Sequence, residues 1–233
     1  MPEKATVIIP AAGRGKRMAA EKNKLFLPLG SRTILQHTLN LFLQHPQIDH
    51  IFLVVAGNDQ EMLTSLLASE EKITVVTGGA ERQDSVWNAL ELIQQSEVMP
   101  RWILVHDGAR PLCPSIVIER ILKQCALSGA AIPVVPLVDT IRKITPQHTK
   151  VLNRSQLFAT QTPQGFDAQL LIEAYRCCKK ERWQTTDDAS VVELFGHSVE
   201  TVDGVVENLK ITTPQDLKFA EWLLNQQEHG VTC

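Results

Sequence analysis

Short β-branched runs alternate with longer amphipathic patterns along the first 136 residues, and this rhythm constrains the fold more than any other feature of the chain. Thr6–Pro10, Ile51–Ala56, Ile73–Thr77, Trp102–His106 and Ala130–Pro136 read as strands. Ser31–Gln44, Asp59–Leu67, Arg82–Gln95 and Ser115–Ser128 read as helices. Ile34, Leu35, Leu39 and Phe42 share one side of the first helix, and Val86, Ala89, Leu90 and Ile93 share one side of the third. Strands and helices in strict alternation predict an α/β fold, a mostly parallel sheet with helices on both faces. In open sheets of this kind ligands bind beyond the carboxyl ends of the strands. That rule selects the segments after Pro10, Thr77, His106 and Pro136.

The rhythm breaks at Asp139–Phe158. Arg142, Lys143, Lys150 and Arg154 stand there against one acid, Asp139. Ile141, Ile144, Val151, Leu152, Leu157 and Phe158 are too few for a core of their own. The stretch reads as a β-ribbon arm on a single domain spanning residues 1–233, not as a second domain. An isolated hairpin is only marginally stable, so the arm is expected to pack on another surface. Helical patterns return at Asp167–Lys180 and Asp188–Leu194, with strands expected near Val199–Val202 and Leu209–Thr212. Thr213-Pro214-Gln215-Asp216 opens a last helix, with Thr213 as N-cap, Pro214 in the first turn and Asp216 near the positive end of the helix dipole.

Composition removes several functions. The chain has 23 Lys plus Arg against 26 Asp plus Glu, a net charge of −3, whereas a dedicated nucleic-acid binder is usually basic. The longest apolar runs, Ile51–Ala56 and Ala130–Val138, fall far short of the roughly 20 residues of a membrane helix. Met1-Pro2-Glu3-Lys4 carries no signal-peptide pattern. The five cysteines (113, 125, 177, 178 and 233) include no Cys-x-x-Cys pair, so neither a disulfide framework nor a zinc site is expected. The expected setting is a reducing cytoplasm, unless a short transit sequence has been removed.

Three turns at strand ends carry the chemistry. The first strand runs into Ala11-Ala12-Gly13-Arg14-Gly15-Lys16-Arg17-Met18, with Lys22 and Lys24 beyond. Two glycines allow close backbone approach, and five cations with one acid, Glu21, make a cradle for a polyphosphate. Pro10 in place of a glycine excludes the P-loop, and Met18 at the third-glycine place excludes a dinucleotide fingerprint. The plainer, less favoured reading of the stretch is a solvated basic loop. The third strand runs into Gly78-Gly79-Ala80-Glu81-Arg82, which places Ser85 on the first turn of the next helix; taken alone this segment reads as an ordinary βα turn. The fourth strand ends in His106-Asp107-Gly108-Ala109-Arg110-Pro111. A carboxylate at such a strand end holds a metal or a substrate hydroxyl, and Arg110 offers a planar fork for phosphate. The plainer reading of Asp107 is an Asx turn before the proline, and His106 reads as a strand-end residue rather than a catalyst. Further on, Thr140, Arg154, Thr162, Thr186 and Lys210 can together bind a phosphorylated polyol, although Thr186-Asp187 could equally cap a helix.

These blocks, in this order, resemble the nucleotidyltransferase superfamily. They are most similar to its 2-C-methyl-D-erythritol 4-phosphate cytidylyltransferase family, of the non-mevalonate isoprenoid pathway. The resemblance runs from about Val7 to Leu223. It rests on Pro10-Ala11-Ala12-Gly13 through Met18, Lys24, Gly78-Gly79 with Arg82 and Ser85, and His106 to Pro111. Asp139-Thr140, Arg154, Thr162-Pro163-Gln164, Thr186-Asp187 and Lys210 complete it. It implies a three-layer Rossmann-like nucleotidyltransferase fold with a protruding arm. It also implies transfer of the cytidylyl group of CTP to the substrate phosphate, with release of pyrophosphate and use of Mg2+ or another divalent cation.

By the same resemblance Ala11, Ala12 and Gly13 line the CTP site, and Arg17 and Lys24 stabilise the transition state. Gly79 and Ser85 serve cytosine, and Asp107 faces the ribose and reacting phosphates, where it could also share in holding the metal. Thr140, Arg154, Thr186 and Lys210 position the polyol phosphate, with Arg110 and Thr162 nearby. At Ala80 some members of the family carry an acid, so a cytosine contact there must come from the backbone. The family is a homodimer whose arms reach across, which would let Arg154 and Thr140 serve the neighbouring site. Two rivals stand beside this reading: a ribitol 5-phosphate cytidylyltransferase of the same fold, and a nucleotide-binding module without turnover. Pro10-Ala11-Ala12-Gly13 and Arg154 before Thr160–Pro163 favour methylerythritol phosphate over ribitol phosphate. The intact set of Arg17, Lys24 and Asp107 favours turnover over binding alone.

Overall fold

In the computed structural model the described residues are 4–13, 23–59, 63, 67 and 70–228. Arg17 and most of the expected helix Asp59–Leu67 lie outside them. Eight strands form the central sheet. Four of them, β1 (Ala5–Pro10), β4 (Ile48–Val55), β5 (Ile73–Thr77) and β6 (Trp102–Val105), are parallel neighbours in the order β6-β1-β4-β5. A two-residue hairpin, β2 (Pro28–Leu29) and β3 (Arg32–Thr33), stands apart after β1. Next to β6 the direction reverses, because β11 (Gln164–Asp167) pairs antiparallel with both β6 and β7 (Ala130–Pro136). β7 also pairs antiparallel with β10 (Phe158–Thr160) and parallel with β12 (Glu200–Asp203). The strand expected at Leu209–Thr212 does not form. That segment is an irregular strap whose Ile211 N–H donates to Ala109 O at 2.8 Å.

Successive side chains of a strand point to opposite faces, and β1 feeds both layers in this way. Val7 and Ile9 pack with α1 (Ile34–Leu43), α3 (Ser115–Ser128) and α6 (Pro214–Glu228) through Leu35, Leu39, Phe42, Ile118, Ile121 and Ala220. Ile8 packs with α2 (Arg82–Gln94), α4 (Ala168–Glu181) and α5 (Asp188–Leu194) through Val86, Leu90, Leu171, Tyr175, Val191 and Val192. Most of these side chains are fully buried, each contributing about 1.5–3 kcal/mol through removal from water.

Local chemistry sets the ends of the helices. Thr33 and Gln36 form a reciprocal capping box at the start of α1, with Gln36 N donating to Thr33 Oγ1 and Thr33 N to Gln36 Oε1. Thr213 and Asp216 do the same for α6: Asp216 N donates to Thr213 Oγ1 at 3.2 Å, and Thr213 N to Asp216 Oδ2 at 2.7 Å. Gly129, at φ 82°, takes the left-handed turn that ends α3. The arm contains a small hairpin, β8 (Arg142–Ile144) and β9 (Thr149–Val151), exposed throughout. Among the described residues no helix is long and apolar enough to cross a membrane.

Candidate active site

The carboxyl ends of β1, β5 and β6 surround a cavity of about 380 Å3. Ala11, Ala12 and Gly13 form one wall, Gly79 to Arg82 and Ser85 a second, and Asp107 to Ala109 the floor, with Lys24 and Lys210 at the rim. The backbone comes close because the side chains are small. A Cβ added to Gly78 would lie 2.6 Å from Ala12 Cβ, so the first two loops are in direct contact. Ser85 braces the second loop. Its Oγ accepts from Gly79 N at 3.1 Å and donates to Glu81 O at 3.1 Å. Asn23 ties the first loop to the turn that carries Lys24. Its Nδ2 donates to Ala11 O at 2.9 Å, and its Oδ1 accepts from Leu25 N at 3.2 Å. The ammonium of Lys24 donates to Ile211 O at 2.6 Å, so the strap 208–212 closes one side of the cavity.

Asp107 is the electrostatic centre. Lys210 Nζ lies 2.8 Å from its Oδ2, Arg110 Nε 3.6 Å from the same oxygen, and Arg82 Nε 3.7 Å from Oδ1. Burial favours the neutral acid, but Arg82, Lys210 and Arg110 outweigh it and hold the carboxyl well below the usual carboxylate range. Burial likewise opposes the charge on Arg82, and the Asp188 carboxylate, with Asp107 behind it, more than restores it. Arg110 is largely buried, and its Nη1 donates to Asn208 O at 2.6 Å. Burial lowers the pKa of Arg110 and Asp107 opposes that shift.

Behind the floor runs a chain of hydrogen bonds that fixes the Asp107 turn. His106 Nε2 lies 3.0 Å from Arg110 O, which can only accept, so that nitrogen carries the proton. His106 Nδ1 then accepts from the Thr162 hydroxyl at 3.2 Å, and Thr162 Oγ1 accepts from Asp107 N at 3.0 Å. Burial pushes the His106 pKa from 6.5 down to about 4, so the ring is neutral at pH 7. Its position behind the floor makes it a brace for the turn.

The structure gathers eight of the residues singled out from sequence around the cavity: Ala11, Ala12, Gly13, Lys24, Gly79, Ser85, Asp107 and Lys210. Thr162 and Arg110 sit one layer behind it, with Thr162 buried and its hydroxyl engaged as described. Thr140, Arg154 and Thr186 are exposed and outside the cavity lining. Arg154 Nη1 donates to Val138 O within the arm. Asp187, next to Thr186, caps α5 by accepting from Ser190 N at 3.1 Å. Asn23 was not legible as a site residue, because the loop that its amide ties down, at Ala11, lies 12 positions away in sequence. No group of three or more His, Cys, Asp or Glu side chains able to hold a metal occurs among the described residues.

Groups of this kind bind and orient polyanions rather than move protons. The described residues that line the cavity include no histidine. Their place at the carboxyl edge of a Rossmann-like sheet is where folds of this class bind nucleotides, and a cationic site there suits a nucleotidyltransferase. Residues 5–226 match the family described as 2-C-methyl-D-erythritol 4-phosphate cytidylyltransferase, and the chain belongs to that family. The chain is 42% identical over 226 residues to the enzyme of that name from Bacillus cytotoxicus, covering 95% of this chain and 98% of the relative. It is 40% identical over 237 residues to the enzyme of the same name from Alkaliphilus metalliredigens, covering 99% and 97%. The solved structure of the Francisella tularensis enzyme superposes with a TM-score of 0.80 at 34% identity, covering 94% of this chain and 99% of that one. The Thermus thermophilus structure gives 0.77 at 31% identity, with coverages of 94% and 98%.

Proposed function

We propose that this cavity joins CTP to 2-C-methyl-D-erythritol 4-phosphate, giving 4-diphosphocytidyl-2-C-methyl-D-erythritol and pyrophosphate. A phosphate oxygen of the polyol forms a bond to the α-phosphorus of CTP, and the bond from that phosphorus to the α,β-bridging oxygen breaks, that oxygen leaving with pyrophosphate. Phosphate monoesters have a second pKa of about 6, so the nucleophile is already largely ionised at pH 7 and needs no general base. The protein's task is to bring two anions into line and to neutralise charge as the bond shifts. The observation that carries this reading is the arrangement of Lys24, Lys210, Arg82 and the ionised Asp107 around one cavity floored by a strand-end turn.

In this reading the Ala11–Gly13 backbone and Lys24 hold the triphosphate, and Arg17 joins them. Gly79 and Ser85 face the base. Asp107 orients the ribose and the reacting phosphates, and Lys210, with Arg110 behind it, draws in the polyol phosphate. Among the described residues nothing lies within 4 Å of a Cβ added to Gly13, which leaves room for a ligand against the backbone. A divalent cation such as Mg2+ fits as an ion carried mainly by the nucleotide's phosphates, with Asp107 as its protein oxygen donor. Lys210 holds Asp107 Oδ2 at 2.8 Å and Arg82 Nε stands 3.7 Å from Oδ1, which leaves Oδ1 the less engaged oxygen. The ion would offset charge on the phosphates.

The arm supplies part of the polyol site by crossing to a second copy of the chain, bringing Thr140 and Arg154 to the neighbouring cavity, where Thr186 of the receiving chain joins them. Large exposed apolar residues along it, Val138, Ile144, Val151 and Phe158, support its packing on a partner. The chain acts as one nucleotidyltransferase unit in the cytoplasm. Pyrophosphate release with each of the four nucleoside triphosphates, paired with methylerythritol phosphate or ribitol 5-phosphate, tests the reading. CTP with methylerythritol phosphate is expected to exceed every other pair. Better turnover with ribitol 5-phosphate, or with ATP or GTP, would overturn it.

A further inference from the structure

Arg82, at the cavity wall, is supported from the far layer of the sheet. Its Nη1 and Nη2 donate to Asp188 Oδ1 and Oδ2 at 3.1 and 2.6 Å, a bidentate pair. Asp188 is fully buried at the start of α5, whereas the Arg82 side chain keeps 31% exposure on the cavity side. The Tyr175 hydroxyl, from α4, donates to Asp188 Oδ1 at 2.6 Å. Gln164 Oε1 then accepts from Asp188 N and Ala189 N, which pins the first turn of α5 to β11. The Asp188 carboxylate thus receives Tyr175 from α4, its backbone is tied to β11, and it aims the guanidinium of Arg82.

We propose that Asp188 and Tyr175 are positioning residues of the transfer site, acting through Arg82, which they hold beside Asp107 at the cavity wall. The inference rests on the cytidylyl-transfer reading given above. Asp188 takes the paired N–H edge of the guanidinium. Nε stays 3.7 Å from Asp107 Oδ1, near enough to steady that carboxylate without displacing Lys210 from Oδ2. Without Asp188 the cation loses its neutralising partner. It then turns onto Asp107 or onto bound phosphate, and the alignment of Asp107 with Lys210 is lost. Such a change acts on the organised transition state more than on nucleotide capture.

The test is a mutant cycle on the full-length protein, with kcat, KM for CTP and thermal melting measured for each variant at a temperature where all are folded. Asp188→Asn keeps the shape and removes the charge. It is expected to lower kcat about ten-fold or more while KM for CTP moves less than about three-fold. Tyr175→Phe keeps the packed ring and is expected to lower kcat about three-fold, which preserves the test if Asp188→Asn folds poorly. In an Arg82→Lys background, where bidentate pairing is impossible, each change should cost less than about two-fold further. A merely structural role lowers the melting temperature and leaves kcat per folded molecule unchanged. That outcome, or equal losses of kcat in both backgrounds, overturns the inference. Absence of wild-type turnover overturns the reaction itself and this inference with it, whereas normal wild-type turnover with unaffected variants overturns the inference alone.

Discussion

Gly78→Ala probes the contact between the two loops that frame the nucleotide site. The new Cβ would lie 2.6 Å from Ala12 Cβ, whereas ordinary contact begins at 3.4 Å, so one loop must shift by about 0.8 Å. The other neighbours are less demanding: Ser85 Oγ at 3.1 Å can rotate, and Val55 O at 3.4 Å is already at a normal distance. Overpacking of this size typically costs about 1–3 kcal/mol of stability. The functional cost is expected to be larger, since misplacing a binding group by about 1 Å can lose on the order of 100-fold in rate. Steady-state pyrophosphate release and thermal melting, measured in parallel, separate the two effects. Ala12→Gly removes the opposing methyl, so Gly78→Ala/Ala12→Gly should recover most of the lost kcat/KM. Wild-type activity in Gly78→Ala, or failure of the double variant to recover, would refute the idea that these loops position one another.

Three further outcomes follow from the same geometry. Lys24→Ala and Arg17→Ala should lower kcat by about 10²–10³ with a smaller change in KM for CTP. A variant with normal kcat and only a raised KM would remove the transition-state role. Because His106 has a pKa lowered from 6.5 to about 4 by burial, the unfolded chain binds the extra proton first, so stability is full above pH 6.5 and declines as pH falls towards 4. His45 and His50, also lowered by burial, add to that slope, so denaturant titrations across pH should show a shallower decline in His106→Gln than in the wild type. Mixing Arg154→Ala with Lys24→Ala chains under subunit exchange should restore activity at roughly a quarter of all sites if the arm completes the partner's cavity and the sites act independently, and at none if Arg154 serves its own chain.

Much of the fold was legible because burial and periodicity coincide. Ile73–Thr77, Ser115–Ser128 and Ala130–Pro136 have the boundaries that their patterns predict. The strand Gln164–Asp167 was hidden, since it offers a single large apolar residue, Phe166, beside Gly165. That glycine is required by packing, because an added Cβ would sit 2.4 Å from Ile121 Cγ2 and 2.8 Å from Cys125 Sγ. Leu209–Thr212 misled in the opposite direction. It has the composition of a strand, but its polar groups bond to the Asp107 turn and to Lys24 instead of to a neighbouring strand. The cavity could be anticipated because its walls are contiguous turns at strand ends. The support of Arg82 could not, since Asp188 lies 106 positions away and Tyr175 occurs in an ordinary amphipathic pattern.

The central claim is that a phosphate oxygen of the polyol attacks the α-phosphorus of CTP in this cavity. Methylerythritol phosphate carrying 18O in its phosphate, incubated with CTP, Mg2+ and the protein and followed by 31P NMR, tests that bond directly. The account predicts 18O in the bridge between the two phosphorus atoms of the product, with unlabelled pyrophosphate released in equal amount. Label appearing in pyrophosphate, or consumption of CTP without the bridged product, would contradict it.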